Sequence, residues 1–509
     1  MNITNPKIRT RFAPSPTGYV HVGSLRTSLF NYLFAKNLGG VTVLRIEDTD
    51  QTRLVEGAAE NLVSVLGKLG ITFDEGPTLN EAGELVEVGE FGPYTQSKRL
   101  DIYKKYTEEL LEKKAGYYCF CSSERLDELR KEQTALKKPP MYDRHCRNLS
   151  EDEISAKQVE FKEAGKNPVI RQANPLEGET IVNDLVYGEI KYDNALLDDQ
   201  VLIKSDGFPT YHFAVVIDDH LMQISHVIRA EEWIPSTPKH VLLYKAFGWE
   251  APQFAHMPLI LNPDKSKLSK RQGDVAVEDF LNKGYLPQAL VNFVAFLGWN
   301  PKTEQELFSM EELVAQFDLA KVNKSSAVFD VNKLDWMNSE YIRAMSNSEL
   351  VNACKPYWKT SWDVLMIEGE KFPENYLEAI CALEKDRLKK LSEIAERNNY
   401  FFATPDYDGQ ILVWKKSTPE ITKQSLALLQ DLVRITDLET LQSIEKFEKT
   451  VKDFIAEHEL DNGSVLWPLR VAMTGLEKSP NPFEVCATIA LGWGKDEVLF
   501  RLEKAISLL

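Results

Sequence analysis

Two stretches far apart in the chain carry side chains suited to holding phosphate. The first is Arg11-Phe-Ala-Pro-Ser-Pro-Thr-Gly-Tyr-Val-His21-Val-Gly23-Ser24. Pro14 and Pro16 forbid regular helix or central-strand hydrogen bonding, and Gly18 allows a tight backbone. Ile8 to Phe12 reads as a short strand. At Gly23-Ser24 a helix begins, with Leu25, Leu29 and Leu33 on one face and Phe30 and Phe34 beside it. The stretch is thus a strand, a stiff turn and a helix N-terminus, whose unpaired N–H groups are a ready site for phosphate. His21 and Gly23 sit where a triphosphate would lie. The second stretch is Lys267-Leu-Ser-Lys270-Arg271, in a polar loop behind Asp264, Lys265 and Ser266. Two lysines flanking a serine offer charge and a hydroxyl to migrating phosphate oxygens. A flexible lysine suits a pyrophosphate leaving group, whose charge grows during displacement. Taken singly, each stretch also reads as an ordinary turn or a solvated basic loop; the pair points to nucleotide chemistry.

The elements that must position these groups follow from the rest of the chain. At 509 residues it is too long for one ordinary domain. Apolar content of 43% and charged content of 27% are those of a soluble globular protein. Met1 to Thr10 lacks the apolar core of a secretory signal, and no run is apolar enough to span a bilayer, so no membrane partner is expected. Cys119, Cys121, Cys146, Cys354, Cys381 and Cys486 are scattered, which suggests a reducing cytoplasm over a disulfide framework. The net charge of −17 argues against indiscriminate polyanion binding but is compatible with a folded nucleic acid held on a local basic surface.

Gly39-Gly40 close the first helix, and Val41 to Ile46 is a largely apolar strand of the kind buried in parallel sheets. It ends in Glu47-Asp48-Thr-Asp50, where carboxylates would face a ligand crevice. Glu47 reads as functional, and Asp50 as the cap of a helix starting near Leu54 and running from Val55 to Leu69. A Gly/Glu/Pro-rich loop from Asp74 to Tyr94 precedes a helix from Gln96 to about Lys114. Between Ala115 and Pro209 the texture turns polar, with short strands at Gly188 to Tyr192 and Gln200 to Lys204 and a capping box at Ser150-Glu-Asp-Glu153. This reads as an insertion between two halves of a sheet domain. The sheet domain resumes at Pro209-Thr-Tyr211 and includes a strand near Ile224 to Arg229 and a helix from Ser236 to Phe247. From about Val275 the pattern is helical. His212, His220, His226 and His256 show no metal spacing and read as surface or satisfied core histidines. Arg387, Lys389, Lys390, Lys415 and Lys416 suit either phosphate contact or a solvated helix face.

His21-Val-Gly-Ser24 with Lys267-Leu-Ser-Lys-Arg271 resembles the paired HIGH and KMSKS signatures of class I aminoacyl-tRNA synthetases. The wider match resembles the bacterial glutamyl-tRNA synthetase family: Arg11 to Gly18, Arg45-Ile-Glu-Asp-Thr-Asp50, Pro209-Thr-Tyr211-His-Phe and Val227-Ile-Arg229-Ala-Glu-Glu232. Phe329-Asp330, Trp336-Met-Asn338 and Trp467-Pro-Leu-Arg470 carry it through the chain. The resemblance implies a multidomain protein. An α/β doubly wound, Rossmann-type catalytic region spans 1–345, with halves at about 1–114 and 209–262, an α+β connective insertion at about 115–208 and a stem-contact region at about 263–345. An all-α anticodon-binding region spans 346–509.

The resemblance further implies ATP-dependent ligation of glutamate to tRNA(Glu) through glutamyl-adenylate, by a monomer, with Mg2+ arriving on ATP. His21, Lys267 and Lys270 would be catalytic. Arg11, Ala13, Ser15, Glu47, Tyr211 and Arg229 would bind glutamate, Glu47 through the α-ammonium. ATP would be held by His21, Gly23, Ser24, Glu232, Trp233, Lys267, Leu268, Ser269, Lys270 and Arg271. A buried arginine such as Arg229 favours glutamate, because a neutral glutamine side chain would leave its charge uncompensated. Two departures stand out. Ser24 replaces the last histidine of the first signature, as is usual in the subfamily. Cys119, Cys121 and Cys146 resemble the zinc site of some members, but Asn148 stands where a histidine would complete it. His145 offers a different geometry, so a degenerate site without metal is favoured over bound zinc.

Two other readings compete. A HIGH-type nucleotidyltransferase acting on a small metabolite would not need the helical C-terminal half. An inert tRNA-binding scaffold would not need His21, Lys267, Lys270, Arg229 and Glu47 together. No Gly-x-x-x-x-Gly-Lys-Ser/Thr is present, which disfavours a P-loop enzyme.

Overall fold

The computed structural model describes residues 7–268, 276–361 and 372–509. Two compact units form the chain: Met1–Leu281 with Pro287–Val331, and Asn282–Leu286 with Asn332–Leu509.

The described strands, all in the first unit, are β1 (Arg9–Phe12), β2 (Val41–Leu44), β3 (Gly76–Leu79), β4 (Leu85–Val88), β5 (Gly116–Cys119), β6 (Val169–Gln172), β7 (Glu179–Asp184), β8 (Gly188–Asp193), β9 (Val201–Ile203), β10 (His226–Ala230), β11 (Gln253–Met257), β12 (Ile260–Leu261) and β13 (Ala327–Val328). Its helices are α1 (Val22–Asn37), α2 (Ala58–Lys68), α3 (Leu100–Glu112), α4 (Ser123–Ala135), α5 (Glu151–Glu163), α6 (Tyr211–Leu221), α7 (Thr237–Phe247), α8 (Val277–Asn282), α9 (Pro287–Ala295) and α10 (Met310–Gln316). The central sheet has the order β2-β1-β10-β11-β7-β8. Its first five strands are parallel, and β8 runs antiparallel to β7.

β2 is buried along its whole length, as its run Val41-Thr-Val-Leu44 requires. α1 carries the chain from β1 to β2 and buries Leu25, Leu29, Phe30 and Leu33. α3, α6 and α7 share a core that includes Tyr103, Phe213, Ile217, Leu243 and Phe247. β2 and β10 leave β1 on opposite sides, so the carboxyl ends of β1 and β10 flank a topological switch point, the usual ligand crevice of such sheets. The doubly wound expectation holds.

Several local expectations are corrected. α2 begins at Ala58, not near Leu54 or Val55, because Gly57 takes φ 76° as its N-cap and residues 51–53 form a single tighter turn. Asp50 caps no helix backbone; it accepts from Thr52 Oγ1 at 2.7 Å and Arg53 Nε at 2.6 Å. The expected loop from Asp74 to Tyr94 contains the β3–β4 hairpin, turned by Asn80, whose side chain accepts from the N–H groups of Ala82 and Glu84 at 3.0 and 2.9 Å. The capping box at Ser150 and Glu153 is present. The segment read as an insertion builds its own antiparallel sheet, β5-β6-β9, yet its β7–β8 hairpin joins the central sheet where Asp184 stands opposite Phe254.

The second unit is helical among the described residues: α11 (Val331–Ala344), α12 (Asn347–Ser361), α13 (Glu374–Glu384), α14 (Glu393–Arg397), α15 (Pro419–Ile435), α16 (Leu438–Gln442), α17 (Ile444–Glu457), α18 (Asn462–Thr474), α19 (Pro482–Trp493) and α20 (Lys495–Ser507). Leu426, Leu429, Val451, Leu469, Ile489 and Leu502 are fully buried between them. Of the basic residues named above, Arg387 is tied to Glu384 at 2.8 Å and Lys390 lies 3.7 Å from Asp335, while Lys415 and Lys416 are exposed. No described helix is long and apolar enough to cross a membrane.

Candidate active site

A cavity of about 580 Å³ opens at the carboxyl ends of β1 and β10. Arg11, Ala13, Ser15, Glu47, Tyr211 and Arg229 line it, as do His21, Gly23, Ser24, Glu232, Trp233, Lys267 and Leu268. Every described residue assigned to the site from sequence therefore borders one space. Ser269, Lys270 and Arg271 lie outside the described residues.

One end of the cavity is built by the start of α1. His21 is its N-cap, with extended backbone, and its Nδ1 accepts from the Gly23 N–H at 3.0 Å. That bond makes Nδ1 the acceptor and puts the ring proton on Nε2. A Cβ on Gly23 would lie 3.3 Å from His21 Nδ1, so a side chain there would press on the capping ring. The second basic stretch reaches the same place through β12, where Lys267 bridges Leu261 and the Leu268 N–H donates to the Ile260 carbonyl at 3.1 Å. Lys267 Nζ donates to Glu232 Oε2 at 2.5 Å.

The opposite end of the cavity is cationic and buried. Arg229 is 4% exposed and projects from β10. Its Nε donates to His256 Nε2 at 3.1 Å, Nη1 to Tyr211 Oη at 3.1 Å and Nη2 to Thr237 Oγ1 at 2.8 Å. His240 Nδ1 stands 3.4 Å from Nη1, and burial drives the His240 pKa well below its ordinary value. Burial likewise lowers the His256 pKa. Among the described residues the guanidinium thus has only neutral partners, so the arrangement calls for an anion from outside.

Arg11 and Glu47 rest on a buried ion network. Arg11 Nε pairs with Asp219 at 3.2 Å. Arg45, fully buried, donates to Asp219 at 2.8 Å and to Glu47 at 3.1 Å. Asp218 accepts from Arg99 at 2.7 Å and from Gln96 and Tyr103, each at 2.9 Å. Burial pushes the Glu47 pKa up to about 7, with Arg45 and Arg11 opposing the rise. A carboxylate so desolvated gains from a cationic partner.

Sequence reasoning passed over the supports. Arg45 stood inside a quoted motif without a role, Asp218 and Asp219 lay outside every motif, and Thr237, His240 and His256 gave no local sign of meeting Arg229. His212 Nδ1 lies 3.0 Å from His240 Nε2, and His220 stacks on Trp249 at 3.7 Å between centroids.

Away from the cavity, Cys119, Cys121 and Cys146 bring their sulfurs within 4.8 Å of one another. The fourth group is Tyr142, whose hydroxyl lies 3.3 Å from Cys119 Sγ and 3.4 Å from Cys121 Sγ. Hydrogen bonding with Cys146, and then with Tyr142, holds the Cys119 thiol pKa below its ordinary value against the effect of burial. Three sulfurs and one phenol oxygen fit a four-coordinate, thiolate-favouring metal. Tyr142 precedes Cys146 in the chain, away from position 148, where the family pattern puts a histidine.

Comparison with known proteins agrees with this geometry. Residues 7–336 match the family model for tRNA synthetases class I (E and Q), catalytic domain, and residues 349–506 match an anticodon binding domain. A glutamate–tRNA ligase of Clostridioides difficile (strain 630) is 46% identical over 500 residues, covering 97% of this chain and 98% of that protein. One from Alkaliphilus metalliredigens (strain QYMF) is 46% identical over 479 residues, covering 93% and 94%. Among solved structures, a glutamate tRNA ligase from Elizabethkingia meningosepticum CCUG26117, in complex with its amino acid, superposes with a TM-score of 0.85 at 36% identity, covering 98% of this chain and 99% of that one. With two family models spanning nearly its whole length and relatives of one kind matching it end to end, the chain belongs to the glutamate–tRNA ligase family of class I tRNA synthetases.

Proposed function

We propose that this chain joins L-glutamate to tRNA(Glu) in two ATP-dependent steps. In the first, the α-carboxylate of glutamate attacks the α-phosphorus of ATP. An O–P bond forms, the bond to pyrophosphate breaks, and glutamyl-adenylate results. In the second, a hydroxyl at the tRNA 3′ end attacks the adenylate carbonyl, an ester forms, AMP leaves and the hydroxyl proton is released. Adenylate formation needs little acid–base help, because a carboxylate is already a nucleophile; it needs positioning and charge stabilisation.

The observation that carries this reading is Arg229, a buried cation on the cavity wall whose described partners are all neutral. The side-chain carboxylate of glutamate supplies the missing anion, with Arg11 beside it; glutamine cannot. Glu47 takes the α-ammonium, and Ala13, Ser15 and Tyr211 shape the pocket. His21 and the α1 N-terminus at Gly23 and Ser24 hold the ATP phosphates. Lys267 and Lys270 stabilise the departing pyrophosphate. Glu232, Trp233, Leu268, Ser269 and Arg271 complete the nucleotide site. Magnesium arrives with ATP and offsets phosphate charge.

Zinc, when bound, would be held by Cys119, Cys121, Cys146 and Tyr142 and would act structurally, tying the end of β5 to the segment that follows α4. Six free cysteines support the reducing cytoplasm as the compartment. The metabolite nucleotidyltransferase is not favoured, because the anticodon-binding match gives the helical unit a use that such an enzyme lacks.

The test is ATP–pyrophosphate exchange with glutamate or glutamine, each with and without total bacterial tRNA. Exchange with glutamate that depends on tRNA is expected. Exchange with glutamate in the absence of tRNA keeps the reaction and removes the tRNA dependence. Silence from folded protein under every condition overturns the proposal.

A further inference from the structure

Asp184 borders no part of the cavity, yet it governs the group that holds Arg229. It ends β7, the strand that the insertion adds to the central sheet, and pairs in register with Phe254 of β11. Its side chain is fully buried. Oδ1 accepts from the N–H groups of Val186 and Tyr187 at 2.9 and 2.8 Å, so the turn after β7 aims it. Oδ2 lies 2.6 Å from His256 Nδ1 and accepts from the His256 N–H at 3.1 Å. His256 is fully buried, and its other nitrogen, Nε2, faces Arg229 Nε at 3.1 Å and Thr237 Oγ1 at 3.3 Å.

The protons on this line are determined. Arg229 can only donate, so His256 Nε2 must carry a lone pair. The imidazole proton must then sit on Nδ1, and an ionised carboxylate at Oδ2 is the acceptor that keeps it there. The opposite tautomer would set an N–H of His256 against an N–H of Arg229 and push the guanidinium away.

We infer that Asp184 is a positioning residue for amino-acid selection: through His256 it fixes the tautomer that seats Arg229, and so sets the preference for a carboxylate over an amide in the substrate. The inference rests on the proposed reading of Arg229 as the glutamate-binding arginine. It links the insertion to the choice of amino acid, because the relay starts on the insertion's strand and ends in the cavity. Asp184 also supplies a negative charge two groups away from Arg229. The cation is offset at a distance while Nη2 keeps one N–H, beyond the one given to Thr237, for substrate.

The experiment compares wild type, Asp184→Asn, His256→Gln and the double variant in tRNA-supported ATP–pyrophosphate exchange, with KM for glutamate and for ATP and the glutamate-to-glutamine ratio of kcat/KM. Asn is nearly isosteric with Asp but can present an N–H to His256 Nδ1, which permits the wrong tautomer. Gln at 256 can offer an oxygen to Arg229 whatever stands at 184. In Asp184→Asn the KM for glutamate is expected to rise about tenfold or more and the glutamate-to-glutamine ratio to fall with it, with KM for ATP unchanged. In the His256→Gln background, Asp184→Asn is expected to change the glutamate KM by less than about threefold, the non-additivity that marks a shared relay. A wild-type glutamate KM in Asp184→Asn overturns the inference and leaves the proposed function standing. A joint rise in both KM values, undiminished in the His256→Gln background, also overturns it, since that is the mark of a purely structural residue. A wild-type protein without glutamate-dependent exchange overturns the proposed function and the inference together.

Discussion

Lys267 Nζ and Glu232 Oε2 lie 2.5 Å apart at the rim of the cavity, so the lysine assigned to pyrophosphate is held by a carboxylate before any nucleotide arrives. Both side chains are about half exposed, at 59% and 47%, and a pair so solvated contributes little to stability. Its value is positional: the pair keeps the cation at the cavity wall, where the proposed reaction needs it. Lys267→Ala is expected to lower kcat for exchange about 100-fold while leaving the glutamate KM and the melting temperature unchanged. Steady-state exchange kinetics beside a thermal melt check both halves of that statement.

Glu47 predicts a pH limb. Burial raises its pKa to about 7, so below neutrality the free protein presents a neutral carboxyl that cannot pair with an α-ammonium. The kcat/KM for glutamate is expected to fall toward tenfold per pH unit below about 7. Glu47→Gln is expected to bind glutamate weakly at every pH and to lose that limb. A limb that persists in Glu47→Gln would assign the titration elsewhere.

The same shift has a stability sign. A carboxyl whose folded pKa lies above its unfolded value imposes no penalty below pH 4.5, then an increasing one as pH rises toward about 7, and the full penalty beyond. Glu47→Gln is therefore expected to melt higher than wild type at pH 8, with the gap closing by pH 5. Differential scanning calorimetry at the two pH values measures it; a gap that is the same at both would contradict the assigned pKa.

The thiol cluster predicts a metal stoichiometry. Protein prepared without chelator is expected to contain about one zinc per chain, and Cys121→Ser to contain none. Tyr142→Phe removes the phenol oxygen beside Cys119 and Cys121 and is expected to lose zinc more readily to a chelator. Elemental analysis decides, and metal-free wild-type protein that melts normally would return the cluster to a set of packed thiols.

Gly76 predicts a backbone clash beside the site. It sits at φ 117°, and a Cβ there would lie 2.1 Å from the Leu44 carbonyl at the end of β2. Gly76→Ala is expected to destabilise the protein by about 2–4 kcal/mol, because both the backbone conformation and the close approach exclude a side chain. It is also expected to weaken glutamate use, since Arg45 follows Leu44 directly and Glu47 lies three residues on. Denaturant melts with exchange assays compare the two losses.

His21 and Glu47 stood out because each follows a strand or helix end that local patterning places, whereas Arg11 and Arg229 were assigned through the family resemblance and the structure sets all four on one cavity wall. The capping box at Ser150 was legible for the same reason: both of its partners lie within one turn. Asp50 was misread because Gly57, with its left-handed backbone, starts α2 instead. Asp184, Asp219 and Tyr142 were not legible. Asp184 meets His256 only because β7 pairs with β11. Asp219 meets Arg45 across 174 residues of chain. Tyr142 reaches Cys119 only after the insertion has folded its own core. Such partnerships come from tertiary register, on which local spacing is silent.

The β7–β8 hairpin makes the insertion an unremovable part of the architecture. Cutting out residues 115–208 and rejoining the ends would strip β7 from β11 and leave the Phe254 carbonyl and the His256 N–H, which now meet Leu185 and Asp184, unpaired on a new sheet margin. A bare margin of that kind invites edge-to-edge pairing between molecules. The shortened chain is thus expected to associate edge to edge unless the new margin is capped another way.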